Sequence, residues 1–177
     1  MKAPHFTHLT AAECRTLLRR NTVGRLAFLN HNEVDIEPIH YVFDGKWLFG
    51  RTSAGTKLHA LSHSPYVAFE IDEVHGVFDW SSVVVHGTYY ILRDDATSPS
   101  DRRTAARARS LLRNIVPETL RAGDPVPFRQ VVFGVYIARV EGRAASSKDV
   151  KPQRPPSRVR RTRQSRLKAA ARRAARG

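Results

Sequence analysis

The feature that most constrains the fold of this chain is a series of β-rich segments that follow one another through short turns. Residues 23–29, 34–43 and 46–51 are rich in β-branched, aromatic and other apolar residues, and Asp44-Gly45 between the last two is a strong hairpin signal. Parallel strands need a long crossover, usually a helix, and this spacing leaves no room for one. The sequence therefore predicts an antiparallel sheet.

Helical segments are few and flank these strands. Thr10 and Glu13 form a capping-box pattern ahead of apolar residues at helical spacing, which predicts a first helix over 11–20. The remaining predicted elements are a short helix over 55–61, strands over 66–71, 80–92 and 131–140, and a basic helix over 101–115 that continues past Pro117. The expected fold is mainly β with flanking helices, an antiparallel barrel or sandwich of about six strands.

The formal charge of +14 is unevenly distributed along the 177 residues. Segment 151–177 carries 11 basic residues and three prolines, but no acidic or aromatic residue, whereas residues 1–150 carry 19 basic and 16 acidic residues. A segment of that composition cannot bury enough apolar surface to offset the entropy lost on ordering. We therefore expect a folded domain over 1–150 and a disordered basic tail over 151–177.

Several classes of protein are excluded by what the sequence lacks. The single cysteine, Cys14, can form neither an internal disulfide nor a cysteine-rich zinc site. His59 and His63 are four residues apart, but HExxH is absent and no third ligand is indicated, so no metal site is expected. No apolar stretch is long enough to span a bilayer, and the N-terminus has no secretory signal. A cytoplasmic location is the expectation.

The candidate site is the turn between the strand that ends at Arg51 and the short helix whose first turn contains Lys57. Lysine is unfavourable at that end of a helix because the helix dipole is positive there. Two cations beside free backbone N–H groups favour an anion, most naturally a phosphate, with the hydroxyls of Thr52, Ser53 and Thr56 completing the shell. The order GxxxxGK followed by Ser or Thr is absent. The simpler alternative is a turn whose Arg and Lys face water.

Four segments occur in order: GRLAF at 24–28, EPIHYVFDGKWLFGRTSAGTKLHAL at 37–61, VAFEID at 67–72 and WSSVVVHGTYYIL at 80–92. Together they resemble the pyridoxamine 5'-phosphate oxidase-like superfamily of FMN-binding split barrels. Within it, the resemblance is closest to the small flavin-nucleotide-binding branch that includes nitroimidazole-resistance proteins. It covers about residues 6–144 and leaves the tail outside. It implies an antiparallel split β-barrel that forms a homodimer with two FMN molecules at the subunit interface.

The resemblance also implies roles for individual residues, carried over by matching position. Arg51, Thr52 and Lys57 would hold the FMN phosphate. The isoalloxazine would be lined by Pro38, Ile39 and His40. The flavin or its ribityl chain would run along Trp80, Ser81, Ser82 and Val83, partly across the interface, and Glu70 would meet the ribityl or phosphate region.

The activity implied is that of an FMN-dependent oxidoreductase, which passes electrons from NADH or NADPH through the flavin to a small-molecule acceptor such as a nitroaromatic or a quinone. His40 is the candidate catalytic residue, because an imidazole can donate a proton near neutral pH; alternatively it is a strand residue at the barrel rim. The last barrel segment, FGVYIARVEGRAAS, lacks the closing pattern with which true pyridoxamine-phosphate oxidases grip pyridoxal. Vitamin B6 oxidation is therefore not implied.

Two other functions stay open on the sequence. The first is a non-catalytic flavin-binding or nucleic-acid-associated module, in which residues 151–177 contact nucleic acid non-specifically through their charge. The same segment can equally serve as a solubilising appendage. The second keeps the barrel but changes the cofactor to a deazaflavin or haem. Arg51 and Lys57 favour a phosphate-bearing ligand without separating FMN from a deazaflavin.

Overall fold

The computed structural model describes residues 3–147, and within that range the chain forms seven strands and three helices. In chain order they are β1 (His5–His8), α1 (Ala11–Arg20), β2 (Val23–Asn30), β3 (Glu33–Phe43), β4 (Trp47–Thr52), α2 (Thr56–His63), β5 (Tyr66–Gly76), β6 (Asp79–Ile91), α3 (Pro99–Ile115) and β7 (Val131–Ser146). Segment 151–177, for which we expected a disordered tail, lies outside the described residues.

The strands form an antiparallel barrel. Their order is β1-β7-β4-β3-β2-β5-β6, and β6 also pairs with β7, so strands β2 to β7 close on themselves. Strand β1 is added outside this ring, on the last four residues of β7. Closure satisfies the backbone groups that an open sheet would leave at its edges. The predicted fold class, mainly β with flanking helices and an antiparallel barrel, is confirmed.

Two apolar cores follow from the alternation of side chains along the strands. The barrel interior is filled by residues of all six strands from β2 to β7 and is covered by α1, whose Leu18 carbonyl accepts a 2.9 Å hydrogen bond from the Tyr41 hydroxyl. A second core lies outside the barrel, where Ala105, Ala108 and Leu112 of α3 pack on Phe49 of β4 and Val132 of β7. Helix α3 therefore covers the outer face of β4.

The local elements agree closely with the sequence, and the differences have physical causes. Helix α1 spans the predicted residues and carries the complete Thr10–Glu13 capping box. The expected continuation of α3 past Pro117 is wrong: the helix ends at Ile115 because Val116, the residue before the proline, is extended at φ −129° and ψ 100°.

Strand β1 and the last six residues of β7 were not predicted. All four β1 residues are exposed, and they show no apolar alternation that would mark a strand. Strand β1 is extended because it pairs with the end of β7, from His5 opposite Ser146 to His8 opposite Arg143. The end of β7 is also held on its other side by the first half of β6. In residues 3–147, no helix is both long enough and apolar enough to cross a membrane.

Candidate functional site

The turn singled out by the sequence joins the end of β4 to the start of α2. Gly55 is the N-cap of α2, and no side chain within residues 3–147 caps this helix or places a carboxylate in its first turn. Helix α1, by contrast, has both a side-chain cap and Glu13 in its first turn. The first N–H groups of a helix attract anions. The N-terminus of α2 thus has the features of an anion site, with the Thr56 hydroxyl exposed beside it.

Lys57 does not extend into solvent as the simpler alternative supposes. Only 12% of its side chain is exposed, and its Nζ donates to the Glu37 carboxylate on β3. Glu37 is 43% exposed, so this ion pair lies at the boundary between protein and water. One carboxylate oxygen engages one of the three donors on the ammonium group, and the others can serve a ligand.

Arg51 makes a second, more deeply buried ion pair. Its two terminal nitrogens donate to the two oxygens of Asp124, the Nη2–Oδ1 distance being 2.8 Å. The side chains of Arg51 and Asp124 are 9% and 2% exposed. Asp124 also accepts the backbone N–H groups of Leu120 at 2.8 Å and Val126 at 3.0 Å. The α3–β7 loop (116–130) is therefore bound to the end of β4 through one carboxylate.

This arrangement makes stability dependent on pH. Hydrogen bonds from Arg51, and then those from the Val126 and Leu120 backbone, hold the pKa of Asp124 well below its ordinary value of 3.8. A carboxyl whose pKa is lower in the folded state stabilises the fold above its unfolded pKa, and that contribution is lost as the pH falls. We expect the free energy of unfolding to decrease below about pH 4.

The matched variant is Asp124→Asn, whose unfolding free energy should depend less steeply on pH over the same acidic range. Urea unfolding at a series of pH values from about 6 to about 2 measures both proteins. Parallel curves for the two proteins would contradict the assignment of this pH dependence to Asp124.

Strand alternation separates the other predicted site residues into two groups. Ile39 and Val83 are 5% and 0% exposed and belong to the barrel core, so their side chains cannot contact a ligand outside the barrel. Pro38 and His40 are exposed on the opposite face of β3. The β3–β4 pairing begins at Tyr41 and Gly50, so His40 and Arg51 are each one residue beyond the first pair.

A polar cluster on β5 and β6 includes two further predicted residues. The Ser82 hydroxyl donates to Glu70 at 2.9 Å, and Glu70 also accepts a 3.1 Å hydrogen bond from Arg25 on β2. Trp80 and Ser81 are partly buried near the start of β6, and the Trp80 ring lies 6.3 Å from that of Phe6 on β1.

The hydroxyl-bearing residues of the turn differ in their exposure to solvent. Thr52 is 6% exposed, whereas Ser53 and Thr56 are open to solvent. His59 and His63 are both exposed, with ring centroids 4.7 Å apart. Among residues 3–147 there is no group of three or more potential ligands that could hold a metal ion.

Sequence reasoning missed Glu37 and Asp124, the two carboxylates that hold the candidate cations. Glu37 is 20 residues from Lys57, and Asp124 is 73 residues from Arg51. No spacing rule links residues so far apart. Asp124 lies in a loop between Gly123 and two closely spaced prolines, a pattern that indicates a turn and nothing about charge pairing.

A comparison with known protein families identifies the family of this chain. Residues 10–146 match the family model described as pyridoxamine 5'-phosphate oxidase. The match covers well over half of the chain, so the chain belongs to this family, as the ordered segments indicated.

Solved structures and one curated relative extend the comparison. An FAD-binding protein from Mesorhizobium loti is 28% identical, with a TM-score of 0.64 over 81% of this chain and 99% of that one. The FAD-binding protein from Mycobacterium smegmatis is also 28% identical, with a TM-score of 0.54 over 77% and 98%. An uncharacterized protein from Rhizobium meliloti is 30% identical over 46% of this chain, and the match spans only 54% of that relative's length.

More distant structures share the fold alone. A protein proposed to be a 5-nitroimidazole antibiotic resistance protein, from Bacteroides thetaiotaomicron, is 12% identical with a TM-score of 0.59 over 81% of this chain and 89% of that one. The haem storage protein from Vibrio cholerae is 11% identical, with a TM-score of 0.57 over 73% and 92%. The barrel is therefore common to proteins with different ligands.

Proposed function

We propose that this protein binds a flavin nucleotide, most simply FMN, and acts as a flavin-dependent oxidoreductase. The observation that carries the proposal is the β4–α2 turn, where an uncapped helix N-terminus has two largely buried cations close to it in the chain. The two 28% identical structures described as FAD-binding proteins support a flavin over haem.

The residues present fit the phosphate of such a nucleotide. Arg51 and Lys57 each retain N–H donors beyond those given to Asp124 and Glu37, and Ser53 and Thr56 offer exposed hydroxyls. Buried cations are poorly solvated, so a phosphate competes with less water for them than it would at exposed side chains. This chemistry suits the phosphate of FMN, and it equally suits FAD or a deazaflavin.

A bound flavin would supply two-electron transfer between a nicotinamide donor, NADH or NADPH, and a small-molecule acceptor. The protein's own part is to bind and orient. The exposed His40 imidazole, on the outer face of β3, can exchange a proton at a ring nitrogen with an acceptor bound there. The backbone of Pro38 and Ile39 and the Ser82–Glu70 pair would border the same face.

The absorption spectrum of the protein as purified tests this function. Visible flavin bands are expected, and heat release followed by chromatography distinguishes FMN, FAD and a deazaflavin. Bleaching of the bands by NADH or NADPH under anaerobic conditions would support oxidoreductase activity. A protein that remains colourless after incubation with FMN and FAD would contradict the proposal.

We further propose that the protein forms a homodimer through the outer face of β2 and β3. Leu29, Val34 and Ile36 are 42%, 67% and 63% exposed, and the register places Leu29 opposite Val34. An apolar stripe of this kind on a barrel exterior is typical of an interaction surface. It borders Pro38 and His40, so the partner subunit would lie next to the proposed flavin site.

Ile36→Glu is expected to convert the dimer to a monomer, because it places a charge in the middle of this stripe without disturbing the barrel interior. Light scattering coupled to size-exclusion chromatography measures the mass. Phe128→Glu, at a residue 64% exposed on the α3–β7 loop, is the matched control and should stay dimeric. A dimeric Ile36→Glu protein would place the interface elsewhere.

A further inference from the structure

The hydrogen bonds of Asp124 hold its carboxylate in one orientation against Arg51. Each of its oxygens accepts two hydrogen bonds, one from a terminal nitrogen of Arg51 and one from a backbone N–H of its own loop. The backbone bonds to Leu120 and Val126 set the plane of the carboxylate. The carboxylate in turn sets the plane of the guanidinium, because two parallel bonds leave that group little rotational freedom.

The pairing leaves part of the guanidinium unbonded to Asp124. Arginine carries five N–H donors, and Asp124 engages the two terminal nitrogens with one bond each. The Nε–H and one further hydrogen on each terminal nitrogen remain, and the Nε edge has the fork geometry that suits a second oxyanion. An arginine held this way loses little side-chain entropy when a phosphate binds.

We propose that Asp124 is a positioning residue for the nucleotide phosphate: it orients Arg51 and thereby links phosphate binding to the order of the α3–β7 loop. This inference rests on the proposed function. It assigns a role to a loop that the sequence did not connect with the site.

A purely electrostatic role of Asp124 and a positioning role predict opposite changes in phosphate affinity, so an experiment can distinguish them. Asp124→Asn removes a negative charge beside Arg51, and a purely electrostatic effect would strengthen binding of a phosphate. If Asp124 instead positions Arg51, the variant should bind the phosphate more weakly than wild type does. The asparagine NH2 group would face donors whichever way the amide turns, because each oxygen of Asp124 now accepts from Arg51 and from the backbone.

The experiment titrates flavin-free wild type and Asp124→Asn with FMN and with riboflavin, which has the same ring and ribityl chain but no phosphate. We expect the Kd for FMN to rise about tenfold or more in the variant, equivalent to about 1.4 kcal/mol, with the Kd for riboflavin unchanged. Asp44→Asn is the matched control, because Asp44, in the turn after β3, pairs through both oxygens with Arg107, an exposed residue of α3 outside the proposed site.

Each alternative outcome is informative. An equal loss of affinity for FMN and riboflavin would mean that Asp124 only stabilises the fold, and tighter FMN binding would mean that only its charge matters; both overturn the inference while leaving flavin binding intact. If wild type binds neither FMN nor FAD, the proposed function fails, and the inference fails with it.

A second measurement needs no variant and so does not depend on Asp124→Asn folding. Hydrogen exchange at the Leu120 and Val126 amides of wild type reports on their bonds to Asp124. FMN should slow exchange at these two amides more than riboflavin does at equal saturation. Equal protection by the two ligands would overturn the link between the phosphate and the loop.

Discussion

Replacing both Arg51 and Lys57 by alanine is expected to weaken FMN binding by roughly two to four orders of magnitude. A hydrogen bond to a charged group contributes about 1.5–3 kcal/mol, and two such contacts are lost. Titration of flavin-free protein with FMN, followed by quenching of flavin fluorescence, measures the change. Riboflavin affinity should change little, because the lost contacts are to the phosphate.

The control for this pair is Arg107→Ala with Arg109→Ala, which removes the same number of positive charges from α3. It should leave FMN affinity unchanged if the effect is local. Arg51→Ala also leaves Asp124 buried without its cation, so the fold of the double variant must be verified by circular dichroism. Full flavin occupancy in a folded double variant would show that the phosphate binds elsewhere.

Lys57→Ala alone provides a version of this test with less risk to the fold. Its partner Glu37 is 43% exposed and can be solvated when the lysine is removed. The variant should therefore fold normally and still lose about one to two orders of magnitude in FMN affinity. Unchanged affinity would remove Lys57 from the site and leave Arg51 to be tested through Arg51→Lys.

The largest effect on stability is expected from Phe69→Ala. Phe69 is 0% exposed in the barrel interior and makes an edge-to-face contact with Tyr41 at 4.8 Å between ring centroids. Gly24 lies against the same ring, where even a Cβ would come within 2.2 Å of it. A glycine cannot move a side chain into the cavity, so the free energy of unfolding should fall by about 3–5 kcal/mol.

Urea unfolding of the flavin-free protein measures this loss, with Phe128→Ala as the control. Phe128 is 64% exposed, and its truncation should change the unfolding free energy by less than about 0.5 kcal/mol. A loss at Phe69 no larger than that at Phe128 would contradict the assignment of Phe69 to the core.

Elements that depend only on residues close in sequence could be predicted accurately. Helix α1 begins and ends at the predicted residues, because its cap and its apolar face are all within one short segment. The Asp44-Gly45 hairpin forms for the same reason: Gly45 adopts φ 70°, which a turn of this kind needs and glycine provides at low cost. Such elements require no knowledge of the rest of the chain.

The candidate site was predictable only in part. Arg51, the turn and Lys57 follow one another within seven residues of sequence, so the pattern of an anion site is visible without the fold. The sequence did not show which predicted site residues on the strands face the core and which face outward. Ile39 and Val83 lie in the core, while their neighbours face outward, because a strand turns alternate side chains to opposite faces of the barrel.

By itself, the sequence determined the antiparallel strands, helix α1 with its capping box, the family of the protein and the two cations at the turn. The tertiary structure alone decided that β6 closes on β7, that β1 forms, and that Asp124 and Glu37 hold those cations. The physical reason is the range of the interactions. Backbone propensity and capping act within a few residues, whereas an ion pair between distant segments exists only after barrel closure has brought them together.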